Sequence, residues 1–218
     1  MPLVSKHTSP CRGLWKIEET ADELWELLRQ PSVYRPFLSK FRTEKRKQEW
    51  LASRVLLESL AGETVPIAYR PDGAPYLPGS PLSVSISHTR GYAALLLQEA
   101  PAAGIDIEYR SDRVLNIRSR FLSPAENAAI DPLYEVEHLL VHWCAKETLY
   151  KMLRREGVDF ISHLHIRPFA YAPAGRIEVY ATHSSQPVFF RLAYEVRPDF
   201  VWVWSDPSEA YPEGNGGR

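Results

Sequence analysis

An α+β fold is predicted for this sequence: two similar, pseudo-symmetric lobes, each an antiparallel sheet packed with helices. Three observations point there. Amphipathic helical runs are followed by strand-like runs, and that order occurs twice along the chain. Eighteen prolines gather in joints such as "PSVYRPF" and "RPDGAPYLPGSP", so the elements are short and the connections many. With 218 residues, 44% of them hydrophobic, the chain can bury a core of its own, as one large domain or two small ones. The order starts again near residue 104, which divides the chain into 1–104 and 105–218 without any residue-level repeat.

The elements follow in order. "ETADELWELLRQ" carries Leu24, Trp25, Leu27 and Leu28 behind the N-cap candidate Thr20, and reads as a short helix ended by Pro31. "TEKRKQEWLASRVLLESLAG" repeats Trp50, Leu51, Val55, Leu56 and Leu60 at helical spacing, and Gly62 closes it. "TVPIAYRPDGAPYLPG" gives two short strands about Pro71-Asp72-Gly73. Leu82–Ile86 and Tyr92–Gln98 form a hairpin, with Ser87-His88-Thr89 placed in the turn. "AGIDIEYR" is a further strand. "SPAENAAI" opens a helix with the capping box Ser123/Glu126 and Pro124 at its first position. "VEHLLVHWCAKETLYKMLRREG" is the strongest helix and is expected to stop at Gly157. Strands follow in "HLHIRPF", "RIEVYATH", "VFFRLAYEV" and "FVWVWS", and "SEAYPEGNGGR" reads as a disordered tail.

Composition excludes several function classes. A formal net charge of -1 supplies no basic field for nucleic acid. No apolar run approaches the roughly 20 residues of a membrane span. The N-terminus lacks the apolar centre of a signal peptide. Cys11 and Cys144 form neither a framework nor a C-x-x-C pair, so a reducing, cytoplasmic setting is expected.

The chemistry concentrates on two stripes. In "GIDIE", Asp106 and Glu108 lie on one face of a strand while Ile105 and Ile107 take the other. Two adjacent carboxylates repel unless a positive charge lies between them. On the main helix, Trp143, Glu147 and Lys151 at i, i+4 and i+8 share a face, which by itself fits an exposed Glu–Lys pair. If Glu147 meets the strand acids, three oxygen donors with open positions suit Mg²⁺ and phosphate oxygens. Arg46, Trp50 and Arg54 repeat the i, i+4, i+8 spacing on the earlier helix and are candidates to hold phosphates, with Ser87 and His88 beside them. His138 and His142, with His163 and His165, lack an H-E-x-x-H pattern and a cysteine pair, so they read as surface or core histidines rather than zinc ligands. No G-x-S-x-G elbow and no phosphate loop is present.

Taken together, "GIDIE", "WCAKETLYK" and "SISHT", with "WLASRVLL", "DGAPYL" and the Phe121…Glu126 segment, resemble the 4′-phosphopantetheinyl transferases, in the larger two-lobed class similar to the surfactin-synthetase-activating enzyme. The likeness runs from about residue 40 to 170. It implies that family's fold, with coenzyme A as co-substrate in a cleft between the lobes. It also implies the reaction: the phosphopantetheine arm moves to a serine of an apo acyl or peptidyl carrier protein, and 3′,5′-ADP leaves. Asp106, Glu108 and Glu147 are then expected as Mg²⁺ ligands, with Mn²⁺ left open. Glu147 or Glu108 would act as base, and Lys151 would attend the leaving phosphate. Arg54, His88 and Ser87 would hold the 3′-phosphate end of CoA, and Arg46 is added on its helical spacing. Lys146 matches a family lysine without a fixed role. Where the family often has Gly-Lys-Pro, this chain has Gly73-Ala74-Pro75, and Arg70 or Arg90 is the candidate replacement. Arg118, Arg120, Arg154 and Arg155 are candidates for meeting an acidic carrier. A monomer is expected. The rivals are a different Mg²⁺-dependent phosphoryl-transfer enzyme and a non-catalytic module that binds CoA or a carrier.

Overall fold

Residues 3–206 are described by the structure, a computed structural model; the "SEAYPEGNGGR" tail lies outside them. Two compact units divide the chain at Ala103/Gly104. Both combine antiparallel strands with packed helices, so the fold is α+β.

The first unit opens with a hairpin that the sequence reading did not assign, β1 (Leu3–Thr8) and β2 (Cys11–Lys16). Helix α1 (Ala21–Leu27) follows, with Thr20 and Glu23 exchanging hydrogen bonds as a capping box. The one-turn α2 (Arg35–Leu38) leads to α3 (Glu44–Ala61), capped by Thr43 and closed by Gly62 at φ +80°. Gly62 is left-handed there, which a side chain would resist. Two-residue strands β3 (Ala68–Tyr69) and β4 (Pro75–Tyr76) precede β5 (Ser83–Thr89) and β6 (Tyr92–Gln98). The main sheet runs β1-β2-β6-β5, and β6 is buried at every position. Leu51, Val55, Leu56 and Leu60 of α3 share one apolar core with Trp15, Val84, Leu95 and Leu97.

One expectation is corrected here. Ser87, His88 and Thr89 do not form the turn; they belong to β5 and pair with Ala94, Ala93 and Tyr92. The turn is only Arg90-Gly91, and Gly91 at φ +76° makes so tight a reversal possible. The ladder therefore extends further than hydroxyl-rich sequence suggests.

The second unit comprises β7 (Ile105–Tyr109), α4 (Arg113–Ile117), α5 (Pro124–Ala128), α6 (Glu135–Leu153), β8 (Leu164–Ile166), β9 (Ala174–Ala181), β10 (Val188–Val196) and β11 (Phe200–Ser205). Its sheet order, β7-β11-β10-β9-β8, sets the first strand at the edge beside the last. Ser123 and Glu126 make their capping box on α5. Helix α6 ends at Leu153 rather than Gly157, because Arg154 already turns left-handed at φ +50° and its N–H closes on Tyr150 O. The buried face of α6 lies on β7 and β11, where Thr148 Oγ1 donates to Val203 O at 3.2 Å and Cys144 Sγ to Val201 O at 3.7 Å. Among the described residues no helix is long and apolar enough to cross a membrane.

Candidate active site

Strand β7 and helix α6 answer the charge problem of "GIDIE". Ile105 and Ile107 are fully buried, and Asp106 is buried on the opposite face. Lys151 Nζ, two turns beyond Trp143, donates to Asp106 Oδ1 at 2.7 Å and to Ile105 O at 2.9 Å. At the other end of the stripe, Trp143 Nε1 donates to Glu108 Oε1 at 3.2 Å. The Trp143 indole is fixed between Phe121 and Phe160, with centroids at 5.2 and 5.6 Å. Glu147 lies between these two contacts on the same helical stripe. The i, i+4, i+8 spacing therefore faces the strand acids rather than solvent.

Gly104 makes this approach possible. A Cβ there would stand 2.6 Å from the Thr148 carbonyl oxygen and 2.6 Å from Met152 Cγ. Backbone cannot yield as a side-chain tip can. Gly104 also exchanges hydrogen bonds with Ser205, which fixes the start of β7. Gly104→Ala is expected to cost about 1–3 kcal/mol in urea unfolding as α6 is forced off β7. Unchanged stability would contradict the close approach.

Electrostatics mark the acids as a group. Burial pushes the Glu147 carboxyl up to about 7; Asp106 and Glu108 push the same way, and Lys151 only partly opposes them. Hard oxygen donors crowded in this manner suit Mg²⁺. Among the described residues, however, no three His, Cys, Asp or Glu side chains stand gathered as a metal cage. The positive charge that Asp106 meets is the Lys151 ammonium. Asp106, Glu108 and Glu147 are the residues whose oxygen donors would suit a divalent cation.

The basic candidates lie in the first unit. Arg46 and His88 are exposed, and Ser87 is buried in the β5–β6 ladder. Arg54 turns inward, only 2% exposed. Its guanidinium stacks 3.9 Å over the Trp50 ring and donates to Tyr69 Oη at 2.7 Å, Ser53 Oγ at 2.8 Å and Trp50 O at 3.2 Å. Burial lowers its pKa, which the Tyr69 contact partly offsets. The turn that lacks the family lysine holds Ala74, whose N–H donates to Asp72 Oδ1; Arg70 lies over the Tyr76 ring at 4.9 Å. Arg118 is committed to Asn127 and Glu135.

Among the described residues, three acids outside the predicted site are buried on partners that sequence spacing does not reveal. Glu49 lies beneath Arg46. Glu58 accepts from the Arg29 N–H and from Tyr34 Oη. Glu126, a capping residue within the Phe121…Glu126 segment, also binds Lys146. Lys146 Nζ is fully buried and donates to Phe121 O, Glu126 Oε2 and Phe160 O at 2.6, 2.8 and 2.9 Å. Glu126 also accepts from the Ser123 and Ile166 N–H groups. Burial pushes the Glu126 carboxyl up, but Lys146 and these donors outweigh it and hold it below its ordinary value. The capping-box signal gave Glu126; nothing in the spacing revealed its second partner.

His138, His142, His163 and His165 take structural roles. His138 Nδ1 accepts the Asp131 N–H, and Phe169 packs on both rings. His142 contacts His138 O at 2.9 Å. His163 Nδ1 accepts the Asp159 N–H, and His165 contacts Thr182 Oγ1. Burial pushes His142 down to about 4. In the unfolded chain it titrates near 6.5, so the folded state binds fewer protons between these values. The neutral His142 contribution is complete above about pH 6.5 and is lost as pH falls toward 4, about 3 kcal/mol in all. Glu147 runs the opposite way over much of that window, so the comparison must be with a variant. Denaturant midpoints of wild type should fall more steeply with acid than those of His142→Leu; parallel slopes would contradict this.

The sheet-edge strand of carboxylates and the helix bearing Trp143, Glu147 and Lys151 both fall within one matched segment. Residues 102–203 match the 4′-phosphopantetheinyl transferase superfamily, and residues 38–98 match the 4′-phosphopantetheinyl transferase N-terminal domain. The chain belongs to the 4′-phosphopantetheinyl transferase superfamily. Over 112 residues it is 31% identical to the 4′-phosphopantetheinyl transferase AcpT of Escherichia coli O157:H7, and equally so to that of Escherichia coli strain K12. Those alignments cover 49% of this chain and 57% of each relative.

Proposed function

We propose that this protein transfers the 4′-phosphopantetheine group of coenzyme A to a serine hydroxyl of an apo acyl or peptidyl carrier protein, releasing 3′,5′-ADP. The observation that carries the proposal is the meeting of Trp143, Glu147 and Lys151 on α6 with Asp106 and Glu108 on β7, in a chain of this superfamily. The larger, surfactin-type subclass and a monomeric state belong to the same proposal.

In the reaction the serine oxygen forms a bond to the phosphorus that carries pantetheine. The bond from that phosphorus to the oxygen bridging to 3′,5′-ADP breaks, and ADP leaves with the electron pair. Glu147 or Glu108 accepts the serine proton. Lys151, which now rests on Asp106, offers its ammonium to the negative charge growing on the departing phosphate. Trp143 holds Glu108 in place through its indole N–H. Asp106, Glu108 and Glu147 would hold Mg²⁺ or Mn²⁺, which neutralises pyrophosphate charge when bound. Arg46 supplies a cation and His88 an imidazole N–H to the phosphate end of CoA, beside Ser87. Arg54 stiffens that region through Trp50 and Tyr69 and adds its positive field.

The assay is release of 3′,5′-ADP in the presence of Mg²⁺. Release should require both CoA and an apo carrier, and should vanish with a carrier whose acceptor serine is alanine. Release from CoA alone would indicate water as acceptor and would refute the transfer.

A further inference from the structure

Glu49 is a carboxylate buried where its partners are exposed. It is 6% exposed on α3, yet the basic side chains around it, Lys45, Arg46 and His88, are open to solvent. Oε2 accepts from Arg46 Nη1 at 2.9 Å and lies 3.9 Å from His88 Nε2, while Oε1 lies 3.8 Å from Lys45 Nζ. Arg46 and Lys45 are its neighbours along the helix, but His88 comes from β5. An ordinary surface helix pair has both members in water and contributes little. Here the acid is withdrawn from water, where its field is stronger and its desolvation must be offset by the cations it gathers.

We infer that Glu49 is a positioning residue that organises Lys45, Arg46 and His88 into a cradle for a phosphate monoester, the 3′-phosphate of CoA; this rests on the function proposed above. A guanidinium has five N–H donors, and the Glu49 contact uses Nη1. Held from below, Arg46 keeps donors for a ligand and loses less rotamer freedom on binding one. The same oxygen lies 3.9 Å from His88 Nε2, which brings the imidazole edge to the same carboxylate. The net charge of the cradle stays positive, and its members converge before the ligand arrives.

The test compares CoA with 3′-dephospho-CoA as donor to an apo carrier, in wild type and in Glu49→Gln, with thermal melting as the check on folding. Glu49→Gln keeps the size of the side chain and removes its charge. KM for CoA should rise about tenfold with little change in kcat, while KM for 3′-dephospho-CoA should move less than about twofold. Glu49→Asp should restore part of the CoA affinity. An unchanged KM for CoA, or equal rises for both donors, overturns the role of Glu49. If wild type uses both donors with equal KM, the phosphate end is not held here and the inference falls with that part of the reading. If wild type transfers from neither, the proposed function itself is wrong.

Discussion

Asp106→Asn and Glu147→Gln each lower turnover by roughly 10²-fold or more. Asp106 anchors Lys151 through a 2.7 Å bond and sits beside Glu147, so the isosteric amide removes charge without removing volume. The same variants separate function from stability. Glu147 is raised to about 7 by burial and by its acidic neighbours, so its charge is unfavourable in the folded state. Glu147→Gln should therefore melt no lower than wild type while losing activity, the trade expected of a strained functional site. Asp106→Asn leaves Lys151 with the Ile105 carbonyl and should cost some stability. Steady-state transfer rates with calorimetric melts check both variants. Near-wild-type turnover in either would place the reacting centre elsewhere.

Lys146→Ala destabilises the fold by about 3–5 kcal/mol in urea unfolding. The substitution removes the donor to two carbonyls and leaves Glu126 charged and buried without its cation. Glu126 still caps α5 and accepts from Ile166, so its partial satisfaction sets the lower end of that range. Glu126→Ala should cost a similar amount, and the double variant much less than the sum, because each single variant strands the other partner. Additive losses would mean that the pair does not act as a unit. The two adjacent residues thus separate cleanly: Lys146 holds the second unit together, and Glu147, one position on, faces β7.

Much of this was legible from local pattern. Caps at Thr20, Ser123 and Gly62 depend on neighbours within four residues, and their sequence signals matched the structure. The α6 stripe and the β7 alternation are also local, so the two halves of the acidic site could be read separately. What could not be read were pairings set by the sheets. The β1–β2 hairpin carries little local signal beside Ser9-Pro10, and Gly13 of β2 is packed by Leu56 and Leu60 of α3. Ser87–Thr89 looked like a turn because Ser and Thr favour turns, whereas Gly91 let the ladder run on. Lys146 and Glu49 sit on helices at ordinary surface spacing. Only Phe121, Glu126 and Phe160 around the one, and His88 of β5 beside the other, reveal that both are held by partners distant in sequence.

In the proposed reaction the acids of β7 and the Glu147–Lys151 face of α6 move phosphopantetheine onto a carrier protein. Intact mass spectrometry of an apo carrier, incubated with this protein, CoA and Mg²⁺, tests it most directly. The carrier should convert to a species heavier by one phosphopantetheine arm, with conversion suppressed for Glu147→Gln. No adduct on fatty-acid and non-ribosomal peptide carriers alike would contradict it.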